Sequence, residues 1–352
     1  MSDSRKKILV IDDSALMRRI ICDIISLDEE FEVTDMAADG AEGIAFLSQK
    51  TYDVVILDVV MPKVDGITVL KKMRQMNDAP PVVMFSSEVG EGTSVTIQAL
   101  ELGAFDFIKK PNSILDARNE KFVKRFLQII HLATYSQKRP SRKKSDGKTH
   151  QINLRHSLPR GESIVAIASS TGGPKALQRV IPLLPADLEV PVLIVQHMPT
   201  GFTASLAQRL NELSKLNVVE ARDGQKLEKG TAYLAKGGLH MEVVRSGGGH
   251  MISLKDGPTR EGVKPCANYM YESLAETDYD SIVCAVLTGM GQDGTIGIQN
   301  LKSAKSVYTI AQDEETSVVY GMPRAAVKAG LVDQIEPIDK VAEAISKVLG
   351  VK

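Results

Sequence analysis

Ser163-Ile-Val-Ala-Ile-Ala-Ser-Ser-Thr-Gly-Gly-Pro174 is the stretch on which the reading of this 352-residue chain turns. Its first half is a continuous apolar run of strand type, and its second half is a turn of hydroxyl residues and glycines. Pro174 stands where a helix takes its first residue, and there a missing N–H costs nothing. A hydroxyl in such a turn lies beside the unpaired backbone N–H groups of a helix N-terminus. That suits either a nucleophile with an oxyanion hole or a phosphate cradle, and the neighbouring stretches must decide.

Downstream, two more apolar runs end in polar residues. Residues 190–195 run into Gln196-His197-Met198-Pro199, and residues 282–287 run into Thr288-Gly289-Met290-Gly291-Gln292-Asp293-Gly294. Helical periodicity marks 202–213 and 267–276, another strand is expected over 307–311, and 241–254 reads as a hairpin around Gly247-Gly248-Gly249. The pattern predicts an α/β domain with a mostly parallel sheet and an antiparallel hairpin. In such sheets the carboxyl ends of the strands form the ligand edge. A serine pair, a histidine and an aspartate at three of those ends supply nucleophile, base and orienting carboxylate for acyl transfer. Successive side chains alternate across a strand, so only one of Ser169 and Ser170 can face the cleft. The turn lacks the Gly-x-Ser-x-Gly elbow, and the order Ser, His, Asp is not that of the α/β-hydrolases. His240 and His250 lie in or beside the hairpin and are read as structural.

A second reading competes. Gly289, Gly291 and Gly294 satisfy Gly-x-Gly-x-x-Gly between strand and helix, and Asp313 follows at the distance of a ribose-binding acid, which together form a dinucleotide fingerprint of an oxidoreductase. Against it, Asp293 would carry negative charge into a pyrophosphate loop, and the Ser170 and His197 strand ends would have no task. A third reading is a binding module without catalysis.

The first third of the chain repeats the α/β pattern. Apolar runs at 8–11, 54–57, 82–85 and 105–108 end in Asp12-Asp13, Asp58, Ser86-Ser87 and Lys109-Lys110-Pro111. Ser14 caps the first helix. Continuous apolar strands alternating with amphipathic stretches predict a parallel sheet covered on both faces. Three carboxylates at one edge repel one another unless a cation sits between them. Oxygen ligands in modest number suit Mg²⁺, which accepts a phosphoryl oxygen as a further ligand. Asp58 is placed to form an acyl phosphate. Asp39, Asp53, Asp65 and Asp106 are read as surface or turn residues.

Between the two α/β regions, apolar periodicity stops at 136–160, where Lys, Arg, Ser and Gly dominate, and a flexible linker is expected. His150 and His156 fall there. The basic run 139–148 has no interleaved aromatics, and net charge is −1, so nucleic acid is not an expected partner. Cys22, Cys266 and Cys284 have no disulfide or metal spacing and suggest a reducing compartment. With no signal core and no membrane-spanning apolar run, a cytoplasmic protein without membrane insertion is expected.

Ile11-Asp12-Asp13-Ser14, the run from Leu57-Asp58 through Pro62 to Gly66, Ser86 and Lys110-Pro111 together resemble the receiver domain of two-component response regulators over residues 5–128. The resemblance implies a flavodoxin-like fold, Mg²⁺ at Asp12, Asp13 and Asp58, Asp58 as phospho-acceptor, and Ser86, Phe107 and Lys110 as switch residues. It also implies a sensor histidine kinase as phosphodonor. Residues 161–348 resemble the catalytic domain of the chemotaxis protein-glutamate methylesterases. Ala168-Ser-Ser170-Thr-Gly-Gly-Pro174, Gln196-His197-Met-Pro-Thr-Gly-Phe-Thr203 and Leu287-Thr-Gly-Met290-Gly-Gln-Asp293-Gly294 carry the likeness. It implies Ser170 as nucleophile, His197 as base, Asp293 as orienter and the backbone N–H of Met290 in the oxyanion hole. Thr171, in the turn after Ser170, is the expected second donor. It further implies methyl-accepting chemotaxis receptors as substrate, glutamine deamidation beside demethylation, and no cofactor in the esterase domain. The expected organisation is a receiver at 1–130, a linker at 131–160 and an esterase domain at 161–352, in a monomer. Gln292, Lys236 and Val263-Lys264-Pro265-Cys266-Ala267 depart from the family pattern, and none of these is expected to touch the triad.

Overall fold

A computed structural model describes residues 5–87, 92–136 and 161–351. They fall into two compact units, one on each side of the stretch 137–160. The greater part of the expected linker, with His150 and His156, lies outside the described residues.

The first unit alternates β1 (Lys6–Ile11), α1 (Ala15–Ile25), β2 (Phe31–Ala37), α2 (Gly40–Gln49), β3 (Val54–Asp58), α3 (Gly66–Met73), β4 (Val82–Ser86), α4 (Gly92–Glu101) and β5 (Asp106–Lys109). It then closes with α5 (Ile114–Ala117) and α6 (Glu120–Ser136). All five strands are parallel in the order β2-β1-β3-β4-β5, the flavodoxin-like arrangement. β3 and β4 are buried along their whole length, as a sheet with both faces covered requires. On one face α1 packs Ile20, Ile21, Ile24 and Ile25 against Phe126, Ile129, Ile130 and Ala133 of α6. At some 25 cal/mol per Å² of apolar area removed from water, each fully buried aliphatic or aromatic side chain contributes about 1.5–3 kcal/mol.

Two expectations for this unit need correction. The linker does not begin at 131: α6 continues to Ser136, because Ala133 and Thr134 are still buried on its inner face. Asp106 is not a surface or turn residue. It opens β5 almost fully buried, and its carboxylate accepts the Phe107 N–H. β2 was not legible as a strand; it is an edge strand with alternating exposure rather than a continuous apolar run.

The second unit runs β6 (Ser163–Ser169), α7 (Gly173–Val180), β7 (Val192–Gln196), α8 (Phe202–Leu213), β8 (Asn217–Glu220), β9 (Thr231–Leu234), β10 (His240–Ser246) and β11 (Gly249–Lys255). It continues with α9 (Ala267–Ser273), β12 (Ser281–Val286), α10 (Thr295–Ala304), β13 (Ser306–Gln312), α11 (Met322–Lys328), β14 (Gln334–Glu336) and α12 (Ile338–Leu349). Seven parallel strands pair in the order β14-β13-β12-β6-β7-β9-β8. β10 and β11 form the separate antiparallel hairpin. Its turn, Gly247-Gly248, has φ of 55° and 84°, positive at both positions, as a two-residue hairpin turn demands. From β6 the chain first builds outward through β7, then returns to the other side of β6 with β12. The strand order therefore reverses between β6 and β12, and the crevice beyond their carboxyl ends is the position where such sheets bind ligands.

Candidate active site and receiver acidic cluster

Ser170, His197 and Asp293 follow β6, β7 and β12, three strands adjacent in the sheet. The ladder continues past the strand ends: the His197 N–H donates to the Ser169 carbonyl (3.1 Å), and the Ser170 N–H to the Thr288 carbonyl (3.0 Å). The two seryl hydroxyls separate as alternation predicts. Ser169 Oγ, fully buried, donates to Gln196 Oε1 at 2.6 Å. Ser170 Oγ has no hydrogen-bond partner among the described residues, His197 included.

Gln196 is a residue that sequence reasoning passed over. Its Nε2 donates to the carbonyls of both Ser170 (2.9 Å) and His197 (3.2 Å), so one amide clamps the hydroxyl turn to the histidine turn. Gly173 makes room for it, since a Cβ there would lie 1.9 Å from Gln196 Oε1. Gly289 does the same for the third loop; a Cβ would meet Met322 Sδ at 2.4 Å and Ser170 Cβ at 2.8 Å. The close approach of these turns, more than left-handed backbone, explains the glycines.

Asp293 is 2% exposed yet fully served. Its Oδ2 accepts from His197 Nε2 (2.7 Å) and the Ala267 N–H (2.6 Å). Its Oδ1 accepts from Cys266 Sγ (3.0 Å), the Asn268 N–H (3.1 Å) and its neighbour Gly294 N–H (2.8 Å). Burial pushes the carboxyl up, but the hydrogen bond and charge of His197, with the Cys266 and Ala267 donors, outweigh it and hold it below the usual carboxylate range. The expectation that the unusual 263–267 run stays clear of the triad residues is therefore wrong: Cys266, 27 positions away in sequence, touches Asp293 directly. Gln292 and Lys236 make no such contact. With Nε2 bound to Asp293, His197 Nδ1 is buried and without a partner among the described residues. The Thr171 and Met290 backbone N–H groups likewise have no partner among the described residues.

The loop of the competing dinucleotide reading is filled by the protein itself. The Gly294 N–H is taken by Asp293 and Asn268, the Gly297 N–H by Asn268, and Asp313 accepts from Thr316 within its own turn. His240 bonds the Pro258 carbonyl, and His250 accepts the Asp278 N–H, both structural roles as expected.

In the first unit, ligand oxygens of Asp12, Asp13 and Asp58 lie within 4.8 Å of one another. Of the two adjacent lysines, Lys110 is the one whose ammonium bridges Asp12 (2.8 Å) and Asp58 (2.7 Å). Burial pushes the Asp58 carboxyl up to about 6, with Asp12 adding to the rise and Lys110 opposing it. Burial pulls Lys110 down, but the two carboxylates more than offset this and raise it. One lysine against three acids leaves an excess of negative charge, and the donor set is all oxygen. The residues fit Mg²⁺. Gly66 has no room for a Cβ, which would lie 2.2 Å from the Asp58 carbonyl, so the following loop packs on the acidic strand end. Ser86 Oγ accepts from Thr96 Oγ1 of α4 (2.7 Å), a partner that sequence spacing did not reveal. Phe107 is buried in β5.

Both units have relatives among known proteins. The CheB methylesterase family matches residues 165–345, and the response regulator receiver domain matches residues 8–119. A protein-glutamate methylesterase/protein-glutamine glutaminase of Bacillus subtilis (strain 168) is 41% identical over 97% of both chains. One from Pyrococcus horikoshii is 41% identical over 97% of this chain and 93% of its own. Among solved structures, the catalytic domain of Thermotoga maritima CheB methylesterase is 39% identical, with a TM-score of 0.52 over 53% of this chain and 99% of that one. With its receiver domain, its parallel catalytic sheet and identity at this level over nearly its whole length, the chain belongs to the CheB methylesterase family.

Proposed function

We propose that this protein is a phosphorylation-activated serine hydrolase that demethylates glutamate methyl esters, and deamidates glutamines, on methyl-accepting chemotaxis receptors. The observation that carries the reading is the buried His197–Asp293 hydrogen bond, clamped through Gln196 beside a serine whose hydroxyl is free. Asp293 accepts a hydrogen bond from the Nε2–H, so Nδ1 carries the lone pair and is the nitrogen that takes the proton of Ser170 Oγ. The Ser170–His197 bond forms in the substrate complex, as catalytic hydrogen bonds often tighten only there. Ser170 Oγ attacks the side-chain carbonyl of the modified glutamate. The oxyanion is met by the Thr171 and Met290 N–H groups, each preorganised donor of this kind contributing about 3–4 kcal/mol to the transition state. The proton then passes from His197 to the leaving methoxide or amide, releasing methanol or ammonia. Water, deprotonated by the same nitrogen, hydrolyses the acyl-enzyme to glutamate. Nothing in these steps requires a cofactor in the esterase unit.

In the receiver, Asp12, Asp13 and Asp58 would hold Mg²⁺, whose charge supports phosphoryl transfer to Asp58. Lys110 offsets part of the charge of the acceptor edge, and Ser86 and Phe107 respond to the new phosphoryl group. A sensor histidine kinase is the donor, and phosphorylation releases esterase activity that the unphosphorylated receiver holds down. A monomer in the cytoplasm is the working state. Three free thiols fit a reducing compartment, and among the described residues no helix is long and apolar enough to cross a membrane. Incubation with methyl-labelled receptor membranes tests the function. Methanol release that rises with a phosphodonor is expected; none under either condition would refute it.

A further inference from the structure

We infer that Cys266 is a positioning residue of the esterase, its S–H fixing the Asp293 carboxylate that in turn aims His197. This deepens the triad reading and rests on it. Cys266 is fully buried, caps the N-terminal end of α9 with an extended backbone, and lies 3.0 Å from Asp293 Oδ1. The same short segment supplies the Ala267 N–H to Oδ2 and the Asn268 N–H to Oδ1. Three consecutive residues thus hold both carboxylate oxygens, and Cys266 is the one that does so through a side chain. α9 is itself anchored: Asn268 Oδ1 accepts the Gly294 and Gly297 N–H groups at the start of α10, and Tyr271 is completely buried.

The geometry leaves the carboxylate little freedom. Rotation about its Cβ–Cγ bond would break the Cys266 and Asn268 contacts on one oxygen and the His197 and Ala267 contacts on the other. Losing the thiol leaves Oδ1 short of a donor inside a buried site, where an under-served charge is costly. Burial and the charge of Asp293 push the Cys266 thiol up to about 12, so it stays protonated and donates throughout the working range. It is neither a nucleophile nor a base. Other titratable groups feel Asp293 from α9. Tyr271 is pushed well above its usual range by burial, and Glu272 is held low chiefly by Arg260. Neither changes charge between about pH 5 and 9.

The test compares Cys266→Ala, Cys266→Ser, Ser170→Ala and Asp293→Asn in the full chain with phosphodonor, following methanol release from methyl-labelled receptor membranes across pH. Cys266→Ala should lower kcat about tenfold, with KM within about twofold, for the loss of one hydrogen bond to a charged group. A carboxylate with one donor fewer holds the imidazolium more firmly, so the acid limb of kcat/KM should also move to higher pH. Cys266→Ser, with a stronger donor, should keep kcat within about threefold and move that limb to lower pH. Wild-type kcat and profile in Cys266→Ala, beside inactive Ser170→Ala, would overturn the inference while leaving the triad standing. Equal impairment in the Ser and Ala variants would also overturn it, because then space rather than the donor matters. Should the Ala variant not fold, an unmoved limb in Cys266→Ser is the contrary result. Full activity in Ser170→Ala and Asp293→Asn would instead bring down the triad reading itself.

Discussion

Asp58 and Asp293 are both buried carboxylates, and their surroundings drive them in opposite directions. Asp293 meets five donors and stays ionised; Asp58 meets one lysine, a second acid and little else, and burial prevails. A carboxyl raised from its ordinary value to about 6 contributes stability below its unfolded-state value and loses it as pH rises through about 6. Without Mg²⁺, Asp58→Asn should therefore stabilise the receiver unit by about 1–3 kcal/mol at pH 7.5, with little difference near pH 4. Thermal melts at the two pH values would show this, and saturating Mg²⁺ should shrink the gap by stabilising only the wild type. Asp293→Asn should leave the fold but cut kcat on the order of 10³-fold or more, by losing the acceptor that fixes the histidine tautomer. Methanol-release kinetics beside a circular dichroism melt would separate the two effects.

At the scale of elements, strand ends explain why so much of the site could be read in advance. β1, β3, β4, β6, β7 and β12 are continuous apolar runs, and a polar residue directly after such a run at the ligand edge stands out. Asp12, Asp58 and Ser86 are of this kind, with Ser170 and His197 one residue further on and Asp293 a few residues beyond its run. Three of the four edge strands of the parallel sheets, β2, β8 and β14, are short or half-exposed and carry no such signal, and β9 has only four residues. Gln196 and Cys266 were missed for a different reason. Gln196 ends its strand, but its partners belong to two turns that meet only when β6 and β7 pair. Cys266 reaches Asp293 only because α9 abuts the start of α10. These are properties of tertiary packing, not of local pattern. The Gln196 clamp makes its own prediction. Gly173→Ala should cost about 2 kcal/mol, lowering the melting temperature of the esterase unit by about 5 °C. Adding Gln196→Ala should recover part of that loss, though not all, because Ser169 Cβ also lies within 2.9 Å of the new methyl. Strictly additive losses would mean the two sites are not in contact.

For the whole molecule, the proposed function puts phosphate chemistry and acyl chemistry in separate units. The hydroxyl turn after β6 therefore need not cradle a phosphate: the first unit has its own acidic edge for that task. Under that proposal, control passes from one unit to the other. A fragment comprising residues 161–352 should release methanol faster than the unphosphorylated full chain, and a phosphodonor should accelerate the full chain but not the fragment. Equal rates for fragment and unphosphorylated chain would remove inhibition by the receiver from the account. Beneath all of this lies the claim that Ser170 is the nucleophile. Methanol release from methyl-labelled receptor membranes by the phosphodonor-treated Ser170→Ala protein, checked for an unchanged melt, tests it most directly. A rate at least 10³-fold below wild type is predicted, and near-normal demethylation would contradict it.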